Sequence, residues 1–257
     1  MTAARASRRD RGGPHAPADI ARRTIDILKR RADPEKAVQV QRYFKETVAC
    51  YGLVSEDVRD IAASLFRDCR SAWSLAQAVE LCEILLPNRY LEAKSVAILI
   101  LLRFEKEFDP PLFSQIKRWL TRDYLDNWAS VDVLCPDALG GLIEAHSGLR
   151  SKIRAWTASP NRWVRRASAV AFVKLARRGI FLADAYAVAR RLFSADDDLI
   201  EKANGWLLRE AGKTDAGRLE AFLLRHGPKI PRTTVRYAIE RFPEAKRLTL
   251  LARTRAG

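Results

Sequence analysis

Ser159-Pro160-Asn161-Arg162-Trp163-Val164-Arg165-Arg166-Ala167 is the stretch that sets the fold. Ser before Pro is a helix-start signal, the hydroxyl residue at the cap and proline at the first helical position. Behind it Val164, Ala167, Ala171 and Leu175 recur at helical spacing until Gly179 closes the run. Helical hairpins opened in this way begin near Pro87, Asp126, Ser159, Asp196 and Pro231, a spacing of roughly 33–39 residues and close to HEAT-type repeat periods. Nowhere does an alternating Val/Ile/Thr run bounded by turn residues argue for a strand. The expectation is an all-α, HEAT-like repeat solenoid of antiparallel helix pairs, curved so as to present one long concave face. A closed up-and-down bundle is the alternative, and so many short helices fit it less well.

Upstream of that rhythm, residues 1–17 are rich in Arg, Gly, Ala and Pro and read as a disordered basic tail. Residues 18–257 read as one α-helical repeat domain. Ile20, Ile25, Ile27 and Leu28 begin its first helix. Asp33-Pro34-Glu35 opens a second that carries Val38, Val40, Tyr43 and Phe44 and stops at Tyr51-Gly52. Ser55-Glu56-Asp57 opens a third, and Ser71 is expected to cap a fourth.

The 257 residues carry 46 Lys and Arg against 31 Asp and Glu, a net charge of +15. Clustered cations on that scale point to a polyanionic partner, because phosphates are what they neutralise well. Cys50, Cys69, Cys82 and Cys135 have no metal-ligand spacing and read as small buried hydrophobes in a reducing compartment. His15, His146 and His226 stand far apart without acidic companions, which argues against a zinc site or a His-dependent triad. The longest apolar run, Val96 to Leu102, is too short for a bilayer, and no apolar segment follows Arg8-Arg9 as a signal would require. A cytoplasmic, nucleoid-associated protein without metal, cofactor or membrane partner is the resulting expectation.

Three stretches carry chemistry. In Asp126 to Pro136, Trp128 and Asp132 stand four residues apart and share a helical face, just before a proline expected to reset the chain. In the quoted stretch, Arg162, Arg165 and Arg166 crowd a helix N-terminus where the macrodipole disfavours cations; a phosphate clamp would account for them. Solvated arginines on an outer face are the plainer account. In Glu201 to Glu210, Lys202 and Trp206 share a face with Arg209 one turn on. Gly205 there costs about 1 kcal/mol relative to alanine, so its small size answers a close approach by protein or ligand.

These motifs, with Pro34-Glu35-Lys36-Ala37, Arg42-Tyr43-Phe44-Lys45 and Tyr51-Gly52, resemble the HEAT-repeat DNA alkylation repair family, the AlkD-like alkylpurine DNA glycosylases. The resemblance runs in order from about Asp33 to the C-terminal region. It implies a C-shaped solenoid with a basic concave face for duplex DNA, and excision of N3- and N7-alkylated purines without metal or cofactor; a solenoid that wraps DNA can work as a monomer. On the same footing Asp132 matches the catalytic carboxylate, and Trp128 and Trp206 the aromatics that pack on the lesion's deoxyribose. Arg166 matches a DNA-contacting arginine, Tyr43 an aromatic near the damaged pair, and Arg209 a backbone-binding position. Arg162, Arg165, Lys45 and Lys202 complete the expected DNA-binding set. Asn127 replaces the family's aromatic before the tryptophan.

The residues make chemical sense on their own terms. An N-alkylated purine already carries positive charge and leaves without a general acid. A carboxylate beside the sugar stabilises its oxocarbenium character and positions water, and aromatic faces attract the same charge. That reading demands that Trp128, Asp132, Arg166 and Trp206 meet on one surface, with the developing charge on DNA, and no protein cation, as the partner of Asp132. Two alternatives stand beside it: a non-catalytic HEAT-repeat protein binding damaged or branched DNA, and a scaffold for an acidic protein.

Overall fold

The computed structural model describes residues 15–255. It divides into two compact units, one running to Leu101 and one starting at Leu102. Both are helical; the described residues hold no strand, only an isolated bridge between Ala49 and Tyr90. Among them no helix is long and apolar enough to cross a membrane.

The first unit contains α1 (Pro17–Arg30), α2 (Pro34–Gln41), α3 (Ser55–Cys69), α4 (Leu75–Leu85) and α5 (Leu91–Leu101). α1, α3, α4 and α5 pack together over Ile20, Leu28, Leu65, Leu81 and Ile100, each essentially inaccessible to water. Side chains of that size contribute about 1.5–3 kcal/mol each when fully buried. Most of the expected tail lies outside the described residues. Its last part is ordered: the His15 carbonyl accepts from Trp73 Nε1 at 2.6 Å, and Pro17 is buried at the start of α1.

Asp33 caps α2 as expected, accepting from the Lys36 amide at 3.0 Å, but the helix stops at Gln41. Its apolar pattern is too thin to continue, since Val38 is 67% and Tyr43 76% exposed. Tyr51-Gly52 is therefore no helix stop. The amides of Tyr51, Gly52 and Leu53 converge on the buried Glu92 carboxylate at 2.9, 2.8 and 3.2 Å. Gly52 has φ of +85°, and a Cβ there would lie 2.1 Å from the Asp33 carbonyl oxygen. The cap of α4 is Ser74, not Ser71: its amide and hydroxyl both donate to Gln77 Oε1, at 2.9 and 2.8 Å.

In the second unit a 3₁₀ stretch, Leu102–Glu107, leads into α6 (Pro110–Thr121), α7 (Trp128–Ala145), α8 (Leu149–Ala155) and α9 (Arg162–Val170). After these come α10 (Val173–Arg177), α11 (Leu182–Arg191), α12 (Asp198–Ala211), α13 (Ala216–His226), α14 (Arg232–Ala238) and α15 (Glu244–Arg253). α7, α9, α12 and α14 pack side by side in that order, while α8, α11, α13 and α15 build the other layer. The first-layer helices start at Trp128, Arg162, Asp198 and Arg232, which are 34, 36 and 34 residues apart. This is the helical-repeat solenoid architecture the period implied.

Two boundaries differ from expectation. The cap of α9 is Asn161 rather than Ser159, because its Oδ1 reaches both the Trp163 and Val164 amides, at 2.9 and 3.1 Å. Gly179, at φ of +76°, does end the run, but a break at Ala171 and Phe172 divides it into α9 and α10. Pro136 does not reset the chain. It lies inside α7, where it has no amide to give the Asp132 carbonyl four residues back.

Candidate active site

α7 brings the acid into place. Asn127 caps it, accepting from the Ser130 amide at 2.9 Å while its own Nδ2 donates to Asp126 Oδ1 at 3.1 Å. The departure from an aromatic at this position thus has a local use: it fixes the start of the helix whose first residue is Trp128 and whose fifth is Asp132.

Asp132 is not left facing an empty groove. Arg166, the fifth residue of α9, donates Nε to Oδ1 at 2.9 Å and Nη2 to Oδ2 at 2.7 Å. Its remaining nitrogen, Nη1, donates to the Leu199 carbonyl on α12. One guanidinium therefore ties three consecutive first-layer helices together. Its side chain is 6% exposed and that of Asp132 is 17% exposed. The expectation that Asp132 faces no protein cation is overturned: a planar fork meets a carboxylate in the geometry that suits both. Burial pushes the Asp132 carboxyl above the usual carboxylate range, and the charge and hydrogen bonds of Arg166 pull it back only in part.

A carboxylate has about four acceptor directions, and a forked arginine takes two of them. The only hydrogen bonds shown to Asp132 among the described residues are these two from Arg166. Trp128 stands one helical turn before the acid, half-buried. Trp206, also half-buried, stands two turns beyond Leu199 on the same face of α12. The structure thus joins Asp132 directly to Arg166 and, through the Leu199 backbone carbonyl, to the first turn of α12, the helix that carries Lys202 and Trp206.

The other expected DNA-binding cations have protein partners too. Arg162 Nε reaches Asp197 Oδ2 at 2.9 Å, and Lys202 meets Asp198 at 2.8 Å. Arg209 pairs with Glu240, and Arg165 donates to the Ser159 and Pro160 carbonyls at 2.8 and 2.9 Å. Internal partners account for the arginines at the start of α9 without any phosphate. Of these four, Arg165 has only neutral acceptors among its named partners and keeps its charge uncompensated. Tyr43, exposed, and Lys45 belong to the first unit. Gly205 answers a neighbour inside the protein: a Cβ there would lie 2.4 Å from Tyr237 Cβ and 2.8 Å from the Thr234 carbonyl oxygen.

The pairs follow the repeat. Asp132 and Arg166 are 34 residues apart, as are Glu144 and Arg178; Arg162 and Asp197 are 35 apart, Lys174 and Asp137 37, and Arg209 and Glu240 31. Sequence reasoning, which used the period only for apolar residues, missed this polar ladder. It also missed the cations of the last repeat, Arg232 and Arg236. These were within reach, since they stand 34 residues after Asp198 and Lys202.

No curated protein matches the chain. A solved structure described as a predicted DNA alkylation repair enzyme from Enterococcus faecalis has the same fold, with a TM-score of 0.72 at 19% identity, covering 83% of this chain and 97% of that one. The family model for DNA alkylation repair enzymes matches residues 24–242, from the middle of α1 to beyond α14. With most of its length matched, the chain belongs to the DNA alkylation repair enzyme family.

Proposed function

We propose that the protein is a DNA glycosylase that hydrolyses the N-glycosidic bond of positively charged N3- or N7-alkylated purines in duplex DNA. The observation that carries this reading is Asp132 itself, largely buried yet still 17% exposed, and held by the two-pronged grip of Arg166. As the bond to the cationic base lengthens, positive charge passes to the sugar, and the Asp132 carboxylate stabilises it there. A water on an acceptor direction of Asp132 that Arg166 does not take is placed to attack the sugar carbon, giving its proton to the carboxylate. Arg166 acts here as a positioning residue for the acid rather than as a direct phosphate ligand. Trp128 and Trp206 supply π faces toward the developing charge, and Arg165 retains charge for the backbone.

A second reading has its own support. The Asp132–Arg166 pair keeps the same 34-residue spacing as Glu144–Arg178, which is a plain strut between repeats. On that reading the acid is structural, and the protein binds damaged or branched DNA without cutting it. Release of N7-methylguanine or N3-methyladenine from duplex oligonucleotides separates the two. Excision above the spontaneous rate, lost in Asp132→Asn with DNA binding retained, supports the glycosylase; binding without release supports the strut.

A further inference from the structure

An open pocket of about 740 Å³ lies between the turn before α14, the first turns of α14 and the end of α15. Lys229, Arg232, Arg236 and Arg255 line it, with no acidic side chain among the lining residues. Arg232 is fixed at its wall by neutral acceptors, Nη1 donating to Thr254 Oγ1 and Nη2 to the Leu251 carbonyl, both at 3.1 Å. These bonds orient the guanidinium without cancelling its charge. Partial burial and the nearby Arg236 and Arg255 cations hold the pKa of Arg232 below its ordinary value, so the folded chain bears an uncompensated like-charge contact there. An anion in the pocket relieves it. This contrasts with Arg162, Lys202 and Arg209, each of which has an acidic partner.

Register says which anion. Arg232 and Arg236 are the first and fifth residues of α14, as Trp128 and Asp132 are of α7, Arg162 and Arg166 of α9, and Asp198 and Lys202 of α12. The pocket therefore continues the row that holds the candidate acid, two helices beyond α9. Packed helices stand about 10 Å apart, which places it about 20 Å from Arg166 along the row. At about 3.4 Å per phosphate of one strand, that is about six nucleotides. We propose that this pocket is a phosphate site that grips the backbone of the bound duplex about six nucleotides from the damaged base. The proposal rests on the row from α7 to α14 being the DNA face, and so on the reading above.

The test compares wild type with the double variant Arg236→Gln/Arg255→Gln, which leaves Arg232 and its bonds in place. Two duplexes carry N7-methylguanine, one with about twelve base pairs on each side and one with about four, too short to reach the pocket. For the long duplex, KM is expected to rise at least fivefold with kcat unchanged, and the salt dependence of binding to become shallower by about one to two. The short duplex is expected to show no change. An unchanged KM on the long duplex, or equal losses on both, overturns the proposal. Inorganic phosphate supplies an arm independent of catalysis: it is expected to raise the Tm of wild type more than that of the variant. Equal shifts count against the pocket as an anion site, whereas a phosphate effect lost without any change on the long duplex makes it a site for free anions and overturns the DNA assignment. If wild type releases no base, the glycosylase reading falls; the affinities for undamaged long and short duplexes then decide the pocket by the same comparison.

Discussion

Arg166 closes on Asp132 across one repeat, Nε to Oδ1 at 2.9 Å and Nη2 to Oδ2 at 2.7 Å, so the acid's orientation is set from the neighbouring helix. A carboxylate held in this way loses little freedom when substrate arrives. It also depends on its partner for its charge, and the first two predictions follow from that dependence.

Asp132→Asn keeps the shape of the side chain and removes its charge. Excision of N7-methylguanine is expected to fall by about 10²–10⁴-fold, while the Kd for undamaged duplex changes less than threefold. The buried Arg166 loses its counter-charge, so unfolding in urea should show a loss of about 1–3 kcal/mol. Wild-type excision by a folded variant would remove Asp132 from the mechanism.

Arg166→Gln acts on the same acid through pH. On the proposed mechanism activity needs the carboxylate and is lost as pH falls through the Asp132 pKa, which burial already holds above the usual range. Removing Arg166 removes an influence that lowers this pKa, so the acid limb of the kcat/KM profile should move to higher pH. The defect is then expected to be largest on the acid side of the profile and to shrink as pH rises. An unmoved limb with a uniform loss would mean that Arg166 does not tune the acid.

Gly205→Ala sets helix propensity against packing. Alanine favours a helix by about 1 kcal/mol over glycine. Its methyl would nevertheless lie 2.4 Å from Tyr237 Cβ and 2.8 Å from the Thr234 carbonyl oxygen, forcing α12 and α14 apart. A net destabilisation of about 1–3 kcal/mol is expected from thermal or urea unfolding. A more stable variant would show that the close approach is not needed.

Glu92→Gln probes the first unit. The Glu92 carboxylate accepts from three successive amides, and a carboxamide puts a donor where one or more of those amides point. Stability is expected to fall by about 1–3 kcal/mol, and the amides of Gly52 and Leu53 should exchange faster with solvent. Unchanged exchange at both would contradict the role given to Glu92.

Apolar spacing was the most legible part of the chain. Val164, Ala167, Ala171 and Leu175 follow helical periodicity because each must be covered by a neighbouring helix, and all four are buried. Chain punctuation was less legible. Ser159-Pro160 and Ser71 carry cap residues, but Asn161 and Ser74 fill the caps, because cap choice turns on which side chain reaches the free amides. Pro136 misled because helix-breaking is only its usual effect, and the packing of Leu134, Leu139 and Ile143 carries α7 past it. Partners of the charged site residues were hidden for a different reason. Arg166 and Asp132 are separated by a whole repeat, and nothing local to either names the other; their contact became visible only once the repeat register was known.

The ladder of pairs spaced 31 to 37 residues apart gives the second unit something like a reading frame. One residue inserted within α9 ahead of Arg166 would turn its guanidinium by about 100° and open the clasp on Asp132. The same insertion in the exposed connection at Ala158 leaves both helices in phase. Duplication of an entire repeat would add a helix pair bearing its own clasp, lengthening the stack without disturbing the acid. A chain built in this way can grow by whole modules while the Asp132–Arg166 pair stays in place.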